Sequence, residues 1–79
     1  MKAKINDFNG KRGKKIETLL KTYGWSYPAQ YYDYIDASFL NGNYNQVIEL
    51  FNDMKHAQQI IYLSEYALDG ARMLIERNL

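Results

Sequence analysis

The chain has 79 residues with ten Lys+Arg, nine Asp+Glu, one histidine and no cysteine, a length that fits one small domain burying about 60 to 65% of its unfolded surface. Without cysteine there is no disulfide, thiolate zinc site or thiol nucleophile, and His56 alone supplies neither a histidine metal site nor a catalytic triad. The net charge of +1 by itself points to neither nucleic acid nor membrane.

Residues 1–13 hold Gly10, Gly13, Asn6 and Asn9, with Ile5 and Phe8 as the only sizeable apolar side chains after Met1. This composition predicts a basic arm, or at most a short hairpin across Asn9-Gly10. From Lys14 the period changes: Ile16, Leu19, Leu20 and Tyr23 follow helical spacing and Gly24 stands where a C-terminal cap belongs, so the first helix is expected over 14–23. Ser26-Tyr27-Pro28 reads as the next start, because proline's fixed φ suits the first helical turn. Tyr31, Tyr34, Ile35, Ser38 and Phe39 continue that second helix over 28–41, and Asn41-Gly42 stops it. Asn43 is placed to cap a third helix, with Gln46 completing a capping box and Val47, Ile48, Phe51 and Met54 as the apolar stripe. The short link between the two helices makes an αα-hairpin.

The last third has the strongest period. Ala57, Ile60, Ile61, Ser64, Ala67, Leu68, Ala71, Leu74 and Ile75 keep one face over residues 57–78, which, if unbroken, makes a helix of about 33 Å. Nothing in residues 52–56 forces a break, which leaves open whether this helix continues the third. Asp69-Gly70 is the other point of interruption, since a glycine inside a helix costs up to about 1 kcal/mol relative to alanine. The expected fold is therefore all-α, with three or four short helices in a compact bundle: a basic arm over 1–13 and a helical domain over 14–79.

Four features bear on function. Residues 1–21 carry Lys2, Lys4, Lys11, Arg12, Lys14, Lys15 and Lys21 against Asp7 and Glu17, a balance of +5, while residues 22–79 balance to −4. A basic head thus joins an acidic body. The cluster Lys11, Arg12, Lys14 and Lys15 could neutralise phosphates, contact an acidic protein, or stay solvated. Second, Tyr23, Trp25, Tyr27, Tyr31, Tyr32 and Tyr34 place six of the twelve aromatic residues within twelve positions. Tyr23, Tyr31 and Tyr34 fall on the inward faces and are expected in the core. Trp25, Tyr27 and Tyr32 fall off those faces and join the basic cluster as candidate partner-binding residues. Third, Leu63, Tyr66, Gly70 and Met73 form a second apolar strip on the last helix. That strip needs either a central position within the domain or burial in a homodimer or partner interface. Fourth, catalysis finds little support: Asp33 and Asp36 share a helix face without a third ligand, His56 near Asp53 is expected at the surface, and no nucleophile motif or phosphate loop is present. No catalytic residue, metal or cofactor is expected.

Residues 40–54 carry a local resemblance. Gly42, Tyr44, Val47-Ile48 and Phe51 are spaced like the turn and second helix of a tetratricopeptide repeat. The large Ile35, Val47 and Met54 stand where that repeat packs small residues, no proline follows near Gln59, and no second copy exists. The likeness is therefore read as convergence on helical-hairpin geometry, not as membership.

Lys, Asn, Ile and Tyr together make 29 of the 79 residues, the bias of A+T-rich coding DNA. With its length, the chain thereby resembles the accessory proteins of phages and mobile elements in low-GC bacteria. The first seven residues lack the apolar run of about 7 to 15 that a signal peptide needs, and no stretch approaches the roughly 18 apolar residues of a membrane span, so a cytoplasmic protein is expected. The expected function is that of a small non-enzymatic helical interaction protein that binds and modulates a larger protein or nucleoprotein assembly, resembling anti-CRISPR and host-takeover factors in size. The alternative is a DNA- or RNA-binding protein using residues 2–21 with the neighbouring aromatics.

Overall fold

Ile16, Leu19 and Leu20 put one apolar stripe on the first helix, α1 (Ile16–Tyr23), and all three are buried. The computed structural model describes residues 13–78; the expected arm, with Lys11 and Arg12, lies outside the described residues except for Gly13. Helix α1 ends as its sequence requires. Gly24 takes the left-handed conformation at φ 73°, the Trp25 N–H reaches back to the Leu20 carbonyl (2.8 Å), and the Gly24 N–H reaches that of Lys21 (3.2 Å). This is the Schellman pattern, in which glycine avoids the Cβ penalty of that conformation.

Pro28 opens α2 (Pro28–Leu40), and Gln30 closes the turn before it by accepting the backbone N–H groups of Ser26 (2.8 Å) and Tyr27 (2.9 Å). Tyr31, Tyr32, Ile35 and Ser38 are its buried face. This helix is the centre of the domain and packs against α1, α3 (Tyr44–Asn52) and α5 (Asp69–Arg77). The α2–α3 pair is a helical hairpin whose packing residues Ile35, Val47 and Met54 are large and fully buried. The expected capping box of α3 does not form. Asn43 makes no side-chain cap, and Gln46 instead donates to the Tyr34 hydroxyl (2.8 Å) and accepts from Ser38 (3.3 Å). Half-buried between two helices, its amide joins α3 to α2 instead of closing its own first turn.

A break does separate the third helix from the fourth, α4 (His56–Ile61). Its cause lies forty residues earlier. The Lys14 N–H donates to the Asp53 carbonyl (2.7 Å), and Lys14 pairs with Met54 in one parallel bridge. Residue 13 must be glycine for that approach: a Cβ there would collide with the Met54 carbonyl oxygen.

The last segment is not one helix, and its interruption falls directly before Asp69-Gly70. After α4 the chain makes a π-helical turn, Tyr62–Tyr66, becomes extended at Ala67 and Leu68 (ψ 138° and 146°), and restarts as α5. Folding back keeps the body to 28 × 26 × 26 Å, shorter along each axis than a straight rod of about 33 Å. The fold back lets Ala71 and Ile75 become fully buried, with Leu74 packed against the core. Burying an isoleucine contributes roughly 1.5 to 3 kcal/mol, against about 1 kcal/mol for each helical hydrogen bond given up. The count among the described residues is thus five α-helices and a π-turn, not three or four. Two aromatic placements also change: Tyr32 is buried (3% exposed), whereas Tyr23, expected inside, is 41% exposed. Among the described residues no helix is long and apolar enough to cross a membrane.

The two buried-side glycines should respond differently to a methyl group. Gly13→Ala sets a Cβ against backbone, which cannot yield, and should lower unfolding free energy by about 1 to 3 kcal/mol in urea denaturation. Gly70→Ala meets only the tip of the Phe39 ring, which can swing aside, and alanine's helix preference of up to about 1 kcal/mol offsets part of the cost. Its effect should be clearly smaller.

Candidate functional site

The turn between α1 and α2 carries a dense aromatic cluster that reaches the surface. The Tyr23 and Trp25 rings stack at 4.6 Å with 15° between planes. Trp25 stands edge-on to Tyr34 (5.5 Å) and Tyr31 (6.3 Å), so the half-buried indole rests on the core while Tyr23 covers it from outside. Edge-to-face and offset geometries of this kind add about 0.5 to 1.5 kcal/mol beyond area burial. Tyr27, two residues on, is 70% exposed. The turn is rigid, being fixed by the Schellman bonds of Gly24 and Trp25 on one side and the Gln30 amide on the other. Rigid, partly exposed Trp and Tyr side chains are the usual anchors of protein interfaces.

The structure separates residues that the sequence put together. Lys14 and Lys15 are exposed at the start of α1, an eight-residue helix that places them about 12 Å from its aromatic end. Lys21, exposed in the last turn of α1, is the lysine nearest in sequence to Trp25. Tyr32 leaves the candidate surface altogether. Its ring packs on Tyr62 (5.6 Å) and Tyr66 (5.1 Å), its hydroxyl donates to Gln58, and burial pushes its pKa up. Sequence reading missed Lys21 and Tyr23 as members of this site. Tyr23 was assigned inward because it continues the apolar stripe of α1, but it occupies the last turn, where the stripe has run past the core.

The second apolar strip is not continuous, because the chain leaves the helix at Ala67–Leu68. Leu63 packs on the core, Tyr66 lies against Tyr32 at 42% exposure, Gly70 sits under the Phe39 ring, and Met73 is 52% exposed. Asp36, read from the sequence as half of a solvated pair with Asp33, is instead a structural acceptor. It takes the Tyr62 hydroxyl at 2.7 Å and, more weakly, the Leu68 N–H at 3.4 Å. Asp33 remains exposed. Among the described residues no group of three or more His, Asp or Glu side chains comes together as metal ligands. No family model, curated protein or solved structure is significantly similar to the chain, so the surface itself is the guide to what it binds.

The buried tyrosines give a pH signature. Burial, then the hydrogen bond to Asp36, raises the Tyr62 pKa well above its ordinary 10.0; burial, then the charge of Asp53, does the same for Tyr31. In the unfolded chain these phenols ionise near pH 10, while the fold holds them neutral. Their contribution is therefore fully present below about pH 10 and is lost as pH rises further. Denaturant titrations between pH 8 and 11 should show a flat region and then a decline. Tyr62→Phe should make that decline shallower by up to about 1.4 kcal/mol per pH unit, the value for one proton.

Proposed function

We propose that this chain is a small non-enzymatic interaction protein that uses its aromatic turn to bind a larger macromolecular assembly and modulate it in the cytoplasm. Its size and A+T-leaning composition suggest the accessory class of phages and mobile elements, to which anti-CRISPR and host-takeover factors belong. The observation that carries this reading is the display of Tyr23, Trp25 and Tyr27 on a braced turn beside Lys21. Ordered aromatics lose little further entropy when a partner covers them. The non-enzymatic part is supported by where the buried polar side chains are spent. Tyr31 donates to the Leu50 carbonyl (2.7 Å), Gln59 to that of Phe51 (2.9 Å), Ser38 to the Gln46 amide oxygen (3.3 Å) and Tyr62 to Asp36, so each joins elements of the fold.

A second reading, nucleic-acid binding, is favoured by one observation: Lys14 and Lys15 just before α1 and Lys21 within it are all exposed. In this reading α1, not α2, meets phosphate, because α2 contains no Lys or Arg and exposes Asp33.

Affinity capture from bacterial lysate, with and without nuclease, separates the two. A protein should be retained in both cases, and the Trp25→Ala/Tyr27→Ala double variant should weaken its binding at least about tenfold. Retention unchanged by that variant would remove the aromatic turn from the interface. If the partner is instead nucleic acid, a gel shift should lose affinity with a log–log salt slope of about −2 to −3, one phosphate for each of Lys14, Lys15 and Lys21.

A further inference from the structure

Phe39, Tyr44, Gly70, Met73, Leu74 and Arg77 line a groove of about 280 Å³ between the α2–α3 corner and α5. The Phe39 and Tyr44 rings, stacked at 5.5 Å, form its aromatic wall. The Phe39 ring lies where it does because residue 70 has no side chain. Tyr44 and Met73 are 50% and 52% exposed, and Leu40, 72% exposed, precedes the same corner. This surface lies at the far end of α2 from Tyr27, about 20 Å along its 13 residues, and does not depend on the reading of the aromatic turn. Its volume is below the usual 300 to 1,000 Å³ of small-molecule sites, and suits a single bulky side chain.

Its charge is specific. Arg77 is the one charged residue in the lining; its neighbour Glu76 is exposed but does not line the groove. Among the described residues the ion pair formed is Arg72–Asp69, and none of their carboxylates pairs with Arg77. A guanidinium presents paired donors to a carboxylate and repels a cation. We propose that this groove binds an acidic peptide segment of a partner protein, with one bulky apolar side chain between Tyr44 and Met73 and an adjacent Asp or Glu carboxylate on Arg77.

The test uses the full ¹⁵N-labelled chain and four blocked tetrapeptides, Ac-Gly-Phe-Glu-Gly-amide and its analogues with Gln or Lys for Glu, or Ala for Phe. The Phe-Glu peptide should shift the amides of Tyr44, Gly70, Leu74 and Arg77 saturably in the millimolar range. The Phe-Gln peptide should bind about three- to fivefold more weakly, as expected for one exposed charge pair, the Phe-Lys peptide more weakly again, and the Ala-Glu peptide without saturation. In Arg77→Glu, an exposed change at a helix end, the order of the charged peptides should reverse. Shifts indifferent to peptide charge, an unchanged order in Arg77→Glu, or no saturable shift in the groove at about 10 mM of the Phe-Glu peptide, equivalent to a binding free energy weaker than about 3 kcal/mol, would each overturn the proposal.

Discussion

The hydrogen bond from the Tyr62 hydroxyl to Asp36 is the interaction on which the arrangement of the second half depends. Tyr62 is fully buried, and a buried phenol without a partner costs about 1 to 3 kcal/mol. The acceptor it finds is a carboxylate on the central helix, which makes the bond charge-assisted and stronger than one between neutral groups. The same oxygen also receives the Leu68 N–H, the first backbone donor after the chain has left the π-turn. One side chain of α2 thus fixes both the ring that ends α4 and the residue that begins α5. Without it, only the modest helix cost of Gly70, up to about 1 kcal/mol, would oppose a straight helix, for which residues 57–78 have the right period.

The same logic explains why a domain without cysteine uses eight tyrosines. Each buried ring supplies large volume to a small core, and each carries a hydroxyl that ties one element to another. Tyr31 reaches α3 through the Leu50 carbonyl, Tyr32 reaches α4 through Gln58, Tyr34 receives Gln46 of α3, and Tyr62 reaches α2. The tyrosines are therefore both filler and fastening, and a crowd of them in sequence is not by itself a binding surface. Those left at the surface, Tyr23, Tyr27, Tyr44 and Tyr66, stand at turns or beside the break in the last segment.

This division marks how far the sequence could be read. Helices α1 to α3 were legible nearly to the residue, because their apolar period, Gly24, Pro28 and Gly42 are local signals. The break after α3 was not, since it is made by Gly13 and Lys14 pressing on Met54 from forty residues away. The break at Ala67–Leu68 was legible only in part: Asp69-Gly70 marks a point of interruption beside it, but the acceptor that fixes it, Asp36, is on another helix. Of the candidate site, Tyr27 and Trp25 were found by their absence from the apolar stripes. Tyr32 was misplaced because α4 and the π-turn cover a face of α2 that a straight last helix would have left open. Lys21 was passed over in favour of the denser cluster at 11–15, although it alone shares the aromatic end of α1.

The bend in the last segment also decides what kind of surface the domain presents. A straight helix over 57–78 would carry Leu63, Tyr66, Gly70 and Met73 as one strip, long enough to pair with another helix along its length. Folding back distributes those residues among different neighbours. Leu63 goes to the core, Tyr66 covers Tyr32, Gly70 accommodates Phe39, and Met73 becomes the rim of a groove. Part of that apolar area is satisfied within the chain; Ile60, Ile61, Tyr66 and Leu68 stay exposed, and Met73 borders a notch the size of one side chain with a single positive charge beside it. The constraint at Asp36 therefore does more than shape the core: by bringing α5 onto the α2–α3 corner, it exchanges an extended helical interface for a short, charge-selective one.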